Sequence, residues 1–418
     1  MSSSTFRFVH AADLHLDAPF HGLRRASQAV TFALAQAAQS AWDALVQLTL
    51  DENAAFLLIS GDVCDGGDRA IPAQLRFLSG LQRLSAHGIR TFIARGPNDP
   101  ADRWPGIHRW PEGVHCFGAH TPESIAVRTA GGHFATIHGI SHSTDRLRNR
   151  VAQFRRGSDP GVHIGVLHGN VRTADVASED CCSIADLQMA RMDYWALGHD
   201  HRYRHVAEGQ PWIVYPGTLQ GRSLNHDETG AKGAVIVTVT GDRIVSAAHH
   251  PLDAVRLMRP QVDASALLGP VDLRRALSAA AATIRQECPA RTVIAAAEVI
   301  GRRPNWLGAQ YADGAWDRVL DEIRQEENGG NVVWWDSLVD VTGAAAIWSG
   351  EDASSYVHGL VEVFRRAPAG LDRLLADQNG ALGPAMSAGH PAFDPIEVND
   401  LLSRAERVAL SLLESRES

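Results

Sequence analysis

Five short apolar runs that read as β-strands each end in side chains able to hold a metal ion, and this regularity constrains the fold more than any other feature of the chain. "FRFVHA" (6–11) leads to Asp13 and His15, and "FLLIS" (56–60) to Gly61-Asp62. "RTFIA" (90–94) leads to Asn98 and Asp99, "VHIGVLHG" (162–169) carries His168, and "YWALGHDH" (194–201) carries His199 and His201. Helical spacing separates the first three strands. Residues 25–50 place Phe32, Trp42, Leu45 and Val46 on an apolar side, and 73–88 ends at Gly88, a natural C-cap. This βαβαβ order predicts a parallel sheet with helices on its faces, in which sites form beyond the carboxyl ends of the strands.

Further strand-like runs lie at 114–118, 133–140, 211–217, 233–241 and 243–250. They lack long helices between them, so antiparallel pairing is expected there. Two mixed β-sheets packed face to face with flanking helices, an α/β fold, account for the whole order. After about residue 252 the pattern changes: strand 291–301, helix 314–327 and strand 331–341 form a small α+β unit. Trp334 and Trp335 within that last strand point to opposite faces, which puts at least one ring in a core. Beyond it, Val357, Leu360, Val361 and Phe364, then Val398, Leu401, Leu402, Ala405, Val408 and Leu412, recur at helical spacing. The expected domains are therefore 1–252, 253–345 and a helical region 346–418.

The formal net charge of −9 excludes a broadly basic nucleic-acid binder, though not a local basic groove. No apolar run reaches the about 18 residues that a membrane span needs. The start passes directly into a strand, without a basic n-region or cleavage site. A cytoplasmic protein is the expectation. The five cysteines show no paired CxxC spacing and fit reduced, structural thiols.

Taken singly, each candidate ligand has an ordinary explanation: Asp-x-His after a strand is commonly a turn, and Gly-Asp a loop start. Jointly, in this order and always at a strand end, they point to a metal centre. Carboxylates mixed with imidazoles suit Mn²⁺, Fe²⁺ or Zn²⁺ better than a purely hard Mg²⁺ site. Two such ions, roughly 3.5–4 Å apart, support displacement at phosphorus.

The stretches "HAADLHLDAPFHGL", "LLISGDVCD", "VLHGNV", "ALGHDHRY" and "YPGTLQGRSLNHDETGAKGAVIV" resemble the calcineurin-like metallophosphoesterases. More narrowly they resemble the SbcD/YhaO-like DNA repair exonucleases, over about residues 6–250. The resemblance implies two divalent metal ions, Mn²⁺ first among them. It assigns Asp13, His15 and His201 to one ion and His168 and His199 to the second, with Asp62 bridging. It also implies a capping domain after the catalytic one, DNA as substrate and an SMC-like coiled-coil ATPase (SbcC/YhaN-like) as partner. A homodimer is compatible with it. The C-terminal helices are expected to pack on this chain or to dock on that partner. Arg222 and Lys232, in the block after "YPGT", are candidates to contact DNA phosphates.

One loop departs from the family. Its Gly-Asn-His-Asp, in which Asn binds the second metal and His assists the leaving group, reads Gly96-Pro97-Asn98-Asp99 here. Proline offers no ligand, and asparagine at the general-acid position has no proton to give near neutral pH. Three readings stay open. Asn98 reaches the second metal and another group protonates the leaving oxygen. Alternatively Asn98 stays at the phosphate while Asp62, His168 and His199 hold the ion. In the third, the chain is a catalytically impaired pseudo-nuclease that binds metal or DNA ends as a scaffold.

Overall fold

The computed structural model describes residues 5–342, apart from 24–25, 67–69, 101–103, 105–106, 108, 129–131, 133, 173–180, 290, 308–314 and 327–331. The region 346–418, with its expected helices, lies outside the described residues. In chain order the elements are β1 (Thr5–Ala11), α1 (Gln28–Asp51), β2 (Phe56–Ser60), α2 (Ala70–Ala86), β3 (Arg90–Ala94), β4 (Val114–Cys116), β5 (Glu123–Arg128) and β6 (Phe134–Gly139). Then come α3 (Leu147–Val151), β7 (Val162–His168), β8 (Asn170–Arg172), β9 (Cys181–Ser183), α4 (Ile184–Met189), β10 (Tyr194–Gly198), β11 (Arg204–Ala207), β12 (Trp212–Tyr215), β13 (Gly233–Thr240) and β14 (Arg243–Pro251). The last are β15 (Val255–Met258), β16 (Gln261–Asp263), α5 (Pro270–Glu287), β17 (Thr292–Ile300), α6 (Ala315–Glu326) and β18 (Val333–Asp340).

Two six-stranded sheets form the frame, in the orders β14-β13-β1-β2-β3-β4 and β11-β12-β10-β7-β6-β5. Strand alternation sorts their side chains into layers. Phe6, Phe8, Phe56, Leu58 and Phe92 of the first sheet meet Ile137, Ile164, Val166, Tyr194 and Val214 of the second in one buried core. The opposite face of the first sheet, Val9, Leu57, Ile59 and Ile93, packs on Trp42 and Leu45 of α1 and on Phe77 and Leu81 of α2. The outer face of the second, Leu167, Trp195, Leu197 and Ile213, packs on Leu147 and Val151 of α3 and Leu187 of α4. This helix–sheet–sheet–helix layering is the expected fold class.

Two expectations need correction. In the second sheet β6, β7, β10 and β12 run parallel, and only β5 and β11 at its edges are antiparallel. The crossovers carry helices of just 5 and 6 residues, too short to stand out in the pattern. Phe32 is 68% exposed, outside the buried stripe of Val30, Ala37, Ala41, Trp42, Leu45, Val46 and Thr49. At the roughly 3.6 residues per turn of a helix it falls about 80° from Trp42, off the stripe. Ser27 accepts from Val30 N–H and caps the start of α1, while Gly88 (φ 74°) follows α2 as expected.

Chain contacts divide the described residues into two compact units. The first is Met1–Pro260 with Ala279–Ala296 and Leu320–Ser337, and the second takes the other described residues from Gln261 on. Within the first, β15 pairs parallel with Thr292–Ala295, and Val255, Leu257 and Ile294 pack with Val30 and Ala37 of α1. Trp335 is fully buried there. Within the second, β16 pairs with Glu298–Ile300, over a small core of Ala264, Val299 and Leu307 with Trp306, Trp316 and Leu338.

Candidate metal centre

Four residues at the strand ends hold left-handed backbone: Asp13 (φ 51°), His15 (φ 43°), Asp62 (φ 51°) and His199 (φ 110°). Among the described residues only two other non-glycines do so, Asn53 and Arg191. Such conformations cost on the order of 1–3 kcal/mol each and gather where function requires them. Cross-bonds between loops hold them: Asp13 N–H donates to Gly61 O (3.0 Å) and His15 N–H to Asp62 O (3.0 Å). Thr218 Oγ1 donates to Asp13 O at 2.6 Å. Gly61 (φ 94°) lies so close to His168 that a Cβ there would strike the imidazole, and a Cβ on Gly96 would strike the Asp62 carboxylate.

This backbone gathers two groups of ligand atoms, each within 4.8 Å of one another: Asp13, His15 and His201, and Asp13, Asp62 and His168. All are buried except His201, which is half-buried. Asp13 belongs to both groups. The His15 and His201 ring centroids are 5.2 Å apart, and His168 Nε2 is 3.6 Å from Asp62 Oδ2.

Each of the three imidazoles has its Nδ1 occupied. His15 Nδ1 meets Asp65 Oδ1 at 2.5 Å, His201 Nδ1 meets Glu228 Oε1 at 2.7 Å, and His168 Nδ1 meets Ser60 O at 2.9 Å. A donated Nδ1–H leaves Nε2 as the ligand nitrogen, the usual outer support of a metal-bound histidine. Nε2 of both His15 and His168 is buried without a hydrogen-bond partner. A buried polar atom left unpaired costs about 1–3 kcal/mol, and a cation is the partner these two atoms fit. Burial lowers His168 to about 4, against the pull of Asp62, so its ring is neutral and its lone pair free. Burial also pushes the Asp13 carboxyl up to about 8, with His201 opposing and Asp62 adding to the rise. Burial would lower His201 too, but the Glu228 bond and the Asp13 charge outweigh it and raise that ring. Glu228, which burial would raise, is held at about 2 by His201 and Arg222. Carboxyls and imidazoles with opposed shifts around a buried point are what a site built for added positive charge shows before the charge arrives.

The altered loop is well anchored. Asp99 accepts from Gly96 N–H (2.6 Å), Asp62 N–H (3.2 Å) and Val63 N–H (3.1 Å), tying the loop after β3 to the loop after β2. Asn98 lies on Asp62: its N–H donates to Oδ1 and its Nδ2 to Oδ2, both at 3.1 Å. Pro97 is exposed. Asn98, at the position where the resemblance implies a catalytic histidine, thus sits beside Asp62, the carboxylate of the second group.

Residues 6–203 match the calcineurin-like phosphoesterase family. They form a calcineurin-like phosphoesterase domain. The chain is 34% identical over 240 residues to the uncharacterized metallophosphoesterase YhaO of Bacillus subtilis, covering 57% of this chain and 58% of that protein. It is 27% identical over 234 residues to the DNA double-strand break repair protein Mre11 of Thermoplasma acidophilum, covering 52% of this chain and 59% of that one. With the Mre11 protein of Sulfurisphaera tokodaii the figures are 22% over 254 residues, 57% and 61%. The chain therefore spans less than two thirds of the length of these curated relatives. They bear out the resemblance to the SbcD/YhaO-like branch, and the ligand groups fit a metal-dependent phosphoester hydrolase.

The phosphoesterase domain brings Asp13, His15, Asp62, His168 and His201 together, but Asp13 rather than Asp62 is common to the two groups, and His199 belongs to neither. His199 is exposed at the rim. Its ring stands 5.6 Å from that of His168, and its backbone N–H reaches Asp13 at 3.0 Å. The DNA-phosphate reading of Lys232 and Arg222 is corrected. Lys232 is buried, and its ammonium donates to His201 O (2.8 Å) and to Asp227 O. Arg222 spends its guanidinium on Asp65 (3.2 Å) and Glu228 (3.4 Å), the two carboxylates that hold His15 and His201. Both cations brace the centre from behind.

The sequence reading missed Asp65 and Glu228, although both lie inside the quoted motifs. The signal was chemical: a ligand histidine needs an acceptor for its second nitrogen. It also missed a polar link beneath the site. Ser60 Oγ donates to Ala196 O (2.9 Å) and meets His10 Nε2 (3.2 Å), while His10 Nδ1 meets Tyr194 OH (3.0 Å), all buried between the sheets.

Proposed function

We propose that this chain is a metal-dependent phosphodiesterase of the DNA exonuclease type. It uses two divalent ions, Mn²⁺ first among the candidates, and works in the cytoplasm with an SMC-like coiled-coil ATPase on DNA ends. The observation that carries the reading is the pair of ligand groups sharing Asp13, together with the Nε2 atoms of His15 and His168, buried without a hydrogen-bond partner. Asp13, His15 and His201 would hold one ion, and Asp13, Asp62 and His168 the other. Such ions supply positive charge against the charge that develops at phosphorus, and they acidify water. The protein's part is to fix the donors. Ser60, Asp65 and Glu228 set the imidazole tautomers, and the bonds that Asp13 N–H and His15 N–H donate to Gly61 O and Asp62 O set their loop. Asn98 can hydrogen-bond a phosphate oxygen but cannot protonate a leaving group. The Mre11 similarity supports DNA as substrate. The acidic net charge supports a partner that supplies basic surface. Among the described residues no helix is long and apolar enough to cross a membrane.

A specific observation favours a second reading, a pseudo-nuclease scaffold that binds metal or DNA ends. The general-acid position is filled by an amide already bonded to Asp62. A nuclease assay on linear and single-stranded DNA with Mn²⁺ separates the two, comparing wild type, Asp62→Ala and Asn98→His. Cutting by wild type that Asp62→Ala abolishes sinks the scaffold. Silence of wild type at high enzyme, with cutting by Asn98→His, sinks the exonuclease reading.

A further inference from the structure

A sugar oxygen leaves phosphorus poorly without a proton, and Asn98 has none to give. The topology brings another imidazole to the altered loop. β6 runs parallel to β7, from Ala135 opposite Val162 to Gly139 opposite Val166, so the loop after β6 opens at the same carboxyl edge as His168. The loop after β3 meets it there. Arg95 N–H donates to Ser141 Oγ at 2.9 Å, and His142 N–H donates to Arg95 O at 2.8 Å. Ser141 is buried and further tied by Oγ to Phe117 O (2.6 Å) and by N–H to Gly118 O (2.9 Å). His142, half-buried, is thereby fixed to the backbone three residues before Asn98. A loop from the second sheet thus carries a histidine to the loop of the first sheet that lacks one. His21, by contrast, is bonded through its N–H to Arg222 O, on the His15–His201 side of the centre.

We propose that His142 protonates the leaving oxygen, in place of a histidine in the loop after β3; this rests on the phosphodiesterase reading above. A water oxygen bonds to phosphorus and its proton passes to solvent. The bond from phosphorus to the sugar oxygen breaks, the oxygen keeps the electron pair, and the His142 imidazolium gives it a proton. Solvent then reprotonates the neutral ring.

The test compares wild type and His142→Ala, full-length and Mn²⁺-loaded, on linear DNA and on bis(p-nitrophenyl) phosphate, whose phenolate departs without a proton. The variant is expected to lose roughly 10²–10⁴-fold on DNA and at least tenfold less on the activated ester. Its metal content should equal that of wild type, and Asn98→His added to it should recover DNA cleavage. In the imidazole Cε1–H spectrum of the Mg²⁺-loaded protein, the resonance missing from His142→Ala should move when inorganic phosphate is added. Equal losses on both substrates, undiminished DNA cleavage, or a resonance indifferent to phosphate overturns the proposal. Wild type inert toward both substrates removes the phosphodiesterase reading and this proposal with it.

Discussion

The two candidate ligand groups are supported differently. Around His15 and His201 the second imidazole nitrogens rest on carboxylates, Asp65 and Glu228, which Arg222 joins, while Lys232 holds the His201 carbonyl. Around His168 and Asp62 the support is neutral: a backbone carbonyl for the ring and the Asn98 amide for the carboxylate. A carboxylate partner raises the basicity of a ligand imidazole, whereas a carbonyl chiefly orients it. In the proposed centre the first group would therefore hold its ion more tightly. The second is held in place while its chemistry would depend on what neighbouring loops bring, and there Pro97-Asn98 departs from the pattern that the resemblance implies.

Asp13 belongs to both groups, so Asp13→Ala should erase the difference between them. Mn²⁺ binding at both groups should be lost, read by titration calorimetry and by metal content after desalting. Loss of one ion only would show that Asp13 is not shared. Next in size, Glu228→Gln and Asp65→Asn should each weaken the first ion by roughly 10–100-fold and leave the second nearly unchanged. Equal weakening of both would dissolve the contrast.

The metal-free protein should also respond to pH through Asp13. Its carboxyl titrates near 8 in the fold, against an ordinary value near 4 in the unfolded chain. Between those values the folded state holds the extra proton. Stability from this group is thus complete below about pH 4 and is lost as pH rises through about 8, on the order of a few kcal/mol. In chelator, melting temperature should fall across that window, and Asp13→Asn should flatten the fall. A divalent ion should stabilise most at the alkaline end. The smallest effect belongs to the link beneath the site. Tyr194→Phe leaves His10 Nδ1 without its partner and should cost about 1–3 kcal/mol in urea unfolding. Metal affinity should change no more than a few-fold, because Ser60 keeps its bond to Ala196. A larger change would make this link part of the His168 support.

Much of the centre was legible in the sequence because its determinants are local. A buried strand needs apolar residues, and the turn beyond it is where Asp13, His15, Asp62, His168 and His201 must stand. Phe32 and the second sheet were misread for a related reason. One apolar residue does not define a helix stripe, and crossovers of 5 and 6 helical residues leave little periodic signal.

By itself the sequence determined the strand-end ligands, their order, the parallel run of β1, β2 and β3 in the first sheet and the gap in the loop at Pro97-Asn98. Tertiary structure decided which acids serve which histidines. His15 meets Asp65 across 50 positions and His201 meets Glu228 across 27. It also turned Arg222 and Lys232 inward and bonded the loop of His142 to that of Asn98. These pairings follow from sheet register and from the cost of burying charge unpaired, which no local pattern encodes.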